Sequence, residues 1–240
     1  MSKHITIVYG GDNSEREVSF ASGKEVGKVL VKSGYKVSYL DPKNGNFIEL
    51  VKALNPDIVF NALHGSFGED GTLPAILGNL GIAYTHSAVK ASAIAWDKNL
   101  TKIIAKSLGM DLPKSEVFTV GLEPSLEMEL ITKKPFVIKP VSDGSSCNIQ
   151  IILKPGEFRL TDLAKLSAGK YLIEEYIGGR EISIAVLDDK VMGAIEIITR
   201  EGFYDYKAKY EEPDNQYITP PDLKKELLDD VYTKIEKLHK

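Results

Sequence analysis

With a single cysteine, no basic stripe and no apolar run of membrane-spanning length, this chain rules out several classes of protein at the outset. Cys147 alone excludes an internal disulfide and a multi-thiolate zinc site, and it fits a reducing compartment. The net charge of -4 argues against a nucleic-acid or anionic-membrane partner. No signal-type apolar region precedes the first strand, which starts just after Lys3, so a cytoplasmic location is expected. Internal repeats, low-complexity tracts and long linkers are also missing. What is present is ordinary soluble usage, 43% hydrophobic and 27% charged over 240 residues, enough for more than one domain.

The first third alternates strand and helix. Ile5 to Tyr9 is a β-branched run ending in Gly10-Gly11. Ser14, with Glu17 three residues on, predicts a capping box; Val18, Ala21, Ser22, Val26, Val29 and Leu30 then share a helical face up to a stop at Gly34. A second strand, Lys36 to Leu40, ends at Asp41 and completes the logic of a parallel sheet. A dinucleotide site is disfavoured because Gly10-Gly-Asp-Asn-Ser-Glu15 lacks the G-x-G-x-x-G spacing. Glu15 has two readings: a structural acid favoured by the helix dipole, or, facing a cleft, a partner for an ammonium ligand. A third strand, Asp57 to Phe60, leads into the loop Asn61 to Gly71, which carries His64, Glu69 and Asp70 where open α/β sheets bind ligands. A metal is poorly supported there, since no second ligand pair has i, i+4 or C-x-x-C spacing, and a buried histidine tying the loop together is favoured. A helix over Thr72 to Leu80 and a strand over Ile82 to Tyr84 follow.

From Ser87 the pattern is helical, and Trp96-Asp97-Lys98 opens a further helix to Leu108. A lysine at a helix start opposes the dipole, so Lys98 either has a partner such as a phosphate or is a solvated surface cation. After a strand at Glu116 to Thr119 and a helical patch at Leu126 to Ile131, Phe136 to Ile138 delivers Lys139 into the hydroxyl-rich loop Ser142 to Ser146 and a second apolar run, Ile149 to Leu153. Such a hairpin can lay backbone N–H groups, the Ser145 and Ser146 hydroxyls and the Lys139 ammonium along a polyphosphate; the alternative is an ordinary surface hairpin. Tyr171 to Ile177, Glu181 to Leu187 and Val191 to Ile198 read as an antiparallel meander. Its adjacent acids Glu174 and Glu175 can receive an adenine amino group and ribose hydroxyls, or be solvated charges. Phe203 to Tyr210 interleaves aromatics with lysines between acidic flanks, which suits a lid bringing Lys and Tyr to a phosphate site better than a nucleic-acid surface. Asp222 is predicted to cap a last helix with Leu223, Leu227, Val231, Ile235 and Leu238 on one face.

Several stretches together resemble the D-alanine:D-alanine ligases of the ATP-grasp superfamily. They are Gly10 to Ser19, Phe60 to Gly71, Asp97-Lys98, Val137 to Pro140, Gly144 to Ser146, Ile173 to Glu175, Gly179 to Glu181 and Phe203 to Tyr210, in family order. The resemblance implies a mixed α/β and α+β fold. An N-terminal parallel α/β (pre-ATP-grasp, Rossmann-like) domain at 1–86 would precede an ATP-grasp fold with an incomplete C-terminal part. Its central subdomain would span 87–174, and its C-terminal subdomain 175–240 would include a lid loop at 200–216. It further implies ATP-driven joining of two D-alanines through an acylphosphate, for peptidoglycan synthesis. In that resemblance Glu15 holds the ammonium of the first D-alanine, and His64, near Glu69, helps neutralise its carboxylate. Lys98 and Lys139 contact nucleotide phosphates under the Ser145-Ser146 loop, while Glu174, Glu175 and Glu181 receive adenine and ribose. Lys209 and Tyr210 come from the lid, where Tyr210, Ser145 and Glu15 form a hydrogen-bonded chain; tyrosine there resembles the dipeptide-forming branch. A homodimer is a family expectation.

This sequence departs from the family pattern at Cys147-Asn148, where a small apolar residue and glycine are usual, at Thr85-His86-Ser87, where the middle residue is glycine, and at Leu73, where glutamine is common. Asn148 tolerates positive φ better than most residues. The family's Arg-x-Asp and Glu-x-Asn segments, whose side chains hold magnesium (or manganese), are expected beyond Lys240. A truncated ligase with little activity alone is therefore the expectation, with a non-catalytic nucleotide- or D-alanine-binding remnant as its competitor. An NAD-dependent oxidoreductase is a third, disfavoured class.

Overall fold

The computed structural model describes residues 2–144, 148–199, 203, 204, 209 and 215–240, and the chain divides into two units, Met1–Asp97 and Lys98–Lys240. In the first, β1 (His4–Val8), β2 (Lys36–Leu40), β3 (Ile58–Asn61) and β4 (Ala83–Tyr84) form the parallel sheet that the strand–helix alternation predicts, with the strands in the order β2-β1-β3-β4. Strand alternation sends Thr6 and Val8 to one face and Ile5, Ile7 and Tyr9 to the other. Helices α2 (Phe47–Leu54) and α3 (Thr72–Asn79) bury Phe47, Val51, Leu73 and Leu77 over Val8, Leu40 and Val59 on the first face. Val51, Leu73 and Leu77 are fully buried, each worth roughly 2 kcal/mol in transfer terms. A short α4 (Val89–Trp96) ends the unit.

Helix α1 (Arg16–Lys32) corrects two expectations. Its N-cap is Glu15 with no side-chain cap bond, so the Ser14–Glu17 capping box does not form. Its buried seam is Ser19, Gly23 and Gly27, not the predicted apolar face, and Val29 is 63% exposed. The sheet supplies the bulk here: Tyr9 fills the space at Gly23 and Tyr39 the space at Gly27, leaving the helix to contribute glycines. The predicted stop holds, with Gly34 at φ +86 donating to Val31 O.

The second unit opens with α5 (Lys98–Ser107). Strands β5 (Ser115–Thr119), β6 (Phe136–Pro140), β7 (Gln150–Ile152) and β8 (Lys170–Glu175) then make an antiparallel sheet in the order β5-β8-β6-β7. One face, with Phe136, Ile138, Tyr171 and Ile173, forms a core with Met128 and Ile131 of α6 (Leu126–Ile131); Phe136 meets Phe158 edge-on at 5.1 Å. A separate antiparallel sheet, order β11-β10-β9, contains β9 (Glu181–Leu187), β10 (Lys190–Ile198) and β11 (Gln216–Ile218). The predicted meander is therefore split: β8 pairs with β5 and β6, and only β9 and β10 form the expected hairpin. The last helix, α7 (Lys225–His239), has Lys224 at its N-cap, so Asp222 does not cap it.

Candidate functional site

In the first unit, the loops after β1 and β3 meet at the carboxyl edge of the parallel sheet, where such sheets bind ligands. Ser19 of α1 ties the two together, accepting from Gly10 N at 2.8 Å and donating to Ala62 O at 2.6 Å. Asn13 Nδ2 donates to His64 O at 2.7 Å. The arrangement brings Glu15, which is buried, beside the His64–Glu69 loop. Gly65, at φ +75, leaves room for this approach: a Cβ there would stand 2.9 Å from Asn13 Nδ2 and 3.2 Å from Glu15 Oε2. Glu69 accepts from Gly65 N at 3.0 Å. Burial pushes the Glu69 carboxyl above its ordinary pKa; the Gly65 N–H opposes the shift, the Glu15 charge adds to it and His64 opposes it. His64 Nε2 lies 3.4 Å from Ser22 Oγ. Two carboxylates and an imidazole can together hold a zwitterion, ammonium on the acids and carboxylate near the imidazole.

Neighbouring acids serve the scaffold. Asp70 accepts from Phe67 N at 3.0 Å and Thr72 N at 2.8 Å, which fixes Phe67 at φ +70 and starts α3. Asp41, the acid a dinucleotide site would need, is engaged by Gly11 N at 3.1 Å, Lys43 N at 3.0 Å and Arg16 Nη2 at 2.5 Å. Burial pushes the Asp41 carboxyl up, but the Arg16 guanidinium and the Lys43 and Gly11 N–H groups outweigh it and hold the pKa below its usual value.

In the second unit, Lys139, Glu174, Glu175 and Glu181 line one cavity of about 590 Å³, with Val137, Ile151 and Tyr176 among its apolar walls. Alternation along β6 and β8 puts Lys139 and Glu174 on the sheet face opposite the Phe136–Ile173 core. Lys139 is ion-paired to Glu174, and Glu175 is paired with Lys134 at 3.1 Å. Burial raises the Glu181 pKa, against a pull from Lys209, whose Nζ lies 5.4 Å from the Tyr204 ring centroid. Lys98 is held to the loop that follows β6, its backbone N–H donating to Val141 O at 3.0 Å and its Nζ to Asp143 O at 2.7 Å. Asn148 takes the left-handed conformation its amide tolerates, φ +57, and Nδ2 reaches Asp143 Oδ2 at 3.3 Å. Ser145, Ser146 and Tyr210 lie outside the described residues.

Two participants escape a sequence reading. Lys102 bonds Glu174 Oε2 at 2.7 Å; its signal is the i, i+4 spacing from Lys98, which puts both ammonium groups on one face of α5. Arg180 borders the cavity and makes a two-pronged pair with Glu196, at 2.6 and 2.5 Å, that no local pattern announces. Among the described residues no three His, Cys, Asp or Glu side chains converge as a metal site requires.

A family model described as D-ala D-ala ligase C-terminus matches residues 106–240. A protein of Rickettsia bellii named D-alanine--D-alanine ligase is 38% identical over 238 residues, covering 99% of this chain and 73% of the relative. The crystal structure of D-alanine--D-alanine ligase from Bacillus anthracis superposes with a TM-score of 0.82 at 30% identity, covering 99% of this chain and 78% of that one. A structure of the same B. anthracis enzyme complexed with ATP gives 0.81 at 27% identity, covering 99% and 77%.

Proposed function

This chain belongs to the D-alanine:D-alanine ligase family, and on that premise we propose that it serves the ATP-dependent joining of two D-alanines to D-alanyl-D-alanine, a precursor of peptidoglycan. The observation that carries the proposal is the second unit's cavity, lined by Lys139 and by Glu174, Glu175 and Glu181, a cation for phosphate and carboxylates for adenine and ribose. The ATP-bound relative supports the same choice of nucleotide. In the first unit, Glu15 takes the ammonium of the first D-alanine and His64 faces its carboxylate beside Glu69.

The reaction consists of two displacements. A carboxylate oxygen of the first D-alanine attacks the γ-phosphorus as the bond to the β-phosphate oxygen breaks, giving an acylphosphate and ADP. The amine of the second D-alanine then attacks the acyl carbon, phosphate leaves with the C–O bond electrons, and the nitrogen loses a proton. Forming an amide in water is uphill, so the carboxylate must first be activated, and the protein contributes positioning and charge neutralisation. Lys98 and Lys139 hold phosphate oxygens, and the family resemblance adds Ser145, Ser146, Lys209 and Tyr210 to the same task. Magnesium or manganese belongs to the family expectation; the described residues do not fit a metal centre on their own.

The functional division at 1–86, 87–174 and 175–240, a cytoplasmic location and a homodimer are part of the same proposal. Among the described residues no helix is long and apolar enough to cross a membrane. The test is calorimetric titration of the chain with ATP and with D-alanine, followed by mass spectrometry for D-alanyl-D-alanine. ATP binding that Lys139→Met abolishes, together with only slow D-alanine-dependent dipeptide formation, is the expected result. Binding of both ligands without product would reduce the role to a ligand-holding protein, and failure to bind ATP would overturn the proposal.

A further inference from the structure

The buried carboxylate of Glu174 carries two cations, one on each oxygen: Lys139 Nζ from β6 on Oε1, and Lys102 Nζ from α5 on Oε2 at 2.7 Å. The two lysines differ in where else they reach. Lys139 lines the proposed nucleotide cavity and stands on the strand that leads into the Asp143 loop, where Lys98 Nζ is already fixed. Lys102 lines a separate hollow of about 670 Å³ that shares the Asp111–Pro113 wall, and its ammonium is also held by Pro113 O at 3.1 Å. One cation is therefore placed to move toward a ligand, while the other is fastened to the wall behind it.

Binding a phosphate with Lys139 means withdrawing it from Glu174, whose side chain is only 9% exposed. A carboxylate left unpaired at that depth opposes the transfer strongly. Two other charges lining the cavity are committed elsewhere, Glu175 to Lys134 and Arg180 to Glu196. We infer that Lys102 is a positioning residue for nucleotide binding: it keeps Glu174 paired and in place, so that Lys139 can pass from that carboxylate to a nucleotide phosphate. The inference rests on the proposed nucleotide site.

Calorimetry with ATP and with adenosine separates this role from simple support of the cavity wall. In Lys102→Met, ATP affinity should fall about 10- to 100-fold, the size of a charge-assisted hydrogen bond, while adenosine affinity, which asks nothing of Lys139, changes less than about three-fold. Lys102→Arg, which keeps a cation, should retain most of the ATP affinity. Glu174→Gln, which keeps both lysines and frees Lys139, should raise the ratio of ATP to adenosine affinity, and adding it to Lys102→Met should restore the ratio lost there. The Glu174→Gln measurement stands even if Lys102→Met does not fold. Equal losses of ATP and adenosine in Lys102→Met, or a lower ratio in Glu174→Gln, would overturn the inference and leave the nucleotide site intact. An unaltered chain that binds no ATP would overturn both.

Discussion

Alanine at Gly23 and alanine at Gly27 should move the stability of the N-terminal unit differently, although both sit inside α1. In an exposed helix each would gain about 1 kcal/mol from the better helix propensity of alanine. At Gly23 the new methyl would stand 2.9 Å from Tyr9 Cβ and 3.0 Å from Tyr9 Cδ2, at least half an ångström inside ordinary carbon contact. Tyr9 cannot retreat: its N–H bonds Leu40 O at 3.1 Å, and its ring packs on Phe20 and Tyr39 at centroid distances of 4.8 and 5.1 Å. The helix must lift instead, straining the Ser19 bonds to both ligand loops. Overpacking by one methyl costs about 1–3 kcal/mol, so the net loss after the propensity gain is about 0–2 kcal/mol. At Gly27 the methyl meets the Tyr39 hydroxyl, but that is the tip of a residue 42% exposed, which can swing into solvent. Gly27→Ala should therefore be neutral or stabilising by up to about 1 kcal/mol. For a unit of this size 1 kcal/mol is about 4–8 °C in Tm, resolved by thermal unfolding followed by far-UV circular dichroism and near-UV tyrosine dichroism. Equal shifts of the same sign in the two variants would refute the packing argument, and because the lift displaces Glu15, Gly23→Ala should also weaken D-alanine binding more than ATP binding.

Burial pushes the His86 pKa down, and among the described residues neither ring nitrogen has a hydrogen-bond partner. The native state therefore favours the neutral ring: stability is intact above pH about 6.5 and is lost as pH falls toward the lowered native value. His86→Phe, which keeps an aromatic ring against Tyr84, should stabilise more at pH 5 than at pH 8 in urea titrations; the same effect at both would refute this. Asp41 has the opposite origin, a carboxyl held low by its partners, whose contribution is present above about pH 3.9 and is lost as pH falls through the native value. The destabilisation caused by Asp41→Asn should accordingly shrink between pH 7 and pH 3, and a constant difference would count against the Arg16 clamp. Phe136→Ala empties a fully buried site beside Phe158 and should cost the C-terminal unit about 3–5 kcal/mol, read as a fall in the urea midpoint; a loss below about 1 kcal/mol would mean the core is not organised around that ring.

The succession of strands along the first unit is legible because each apolar run ends at a local signal, a glycine turn after Tyr9 or a polar loop after Asn61. The packing of α1 is not, since periodicity counts apolar residues whereas the seam is made of Ser19, Gly23 and Gly27 under two tyrosines from elsewhere. Helix α2 is too short for a periodic signal. Its evidence is in its ends, with Asn46 accepting from Ile48 N at 3.2 Å and Asn55 in the left-handed conformation at φ +45. The separation of β8 from β9 is invisible locally because β8 finds its partners far along the chain, Tyr171 opposite Phe118 and Ile173 opposite Ile138.

The candidate site shows the same division between local chemistry and distant pairing. Residue type and spacing are enough to single out Glu15, His64, Lys98, Lys139 and the Glu174-Glu175 pair. They do not say which acid of that pair is buried with two lysines and which faces Lys134; strand alternation decides it. Val137 opposes Glu174 and Ile138 opposes Ile173, so Lys139 shares a face with Glu174 while Phe136 and Ile138 go to the core. A slip of one residue in β6 would carry Lys139 into the apolar core and Ile138 into the cavity. Burying a lysine without a partner costs several kcal/mol, and exposing Phe136 and Ile138 forfeits about 2 kcal/mol each. The hydrophobic face therefore fixes the register that aims the site's cation, and mutations that loosen this core should misplace Lys139 before they unfold the sheet.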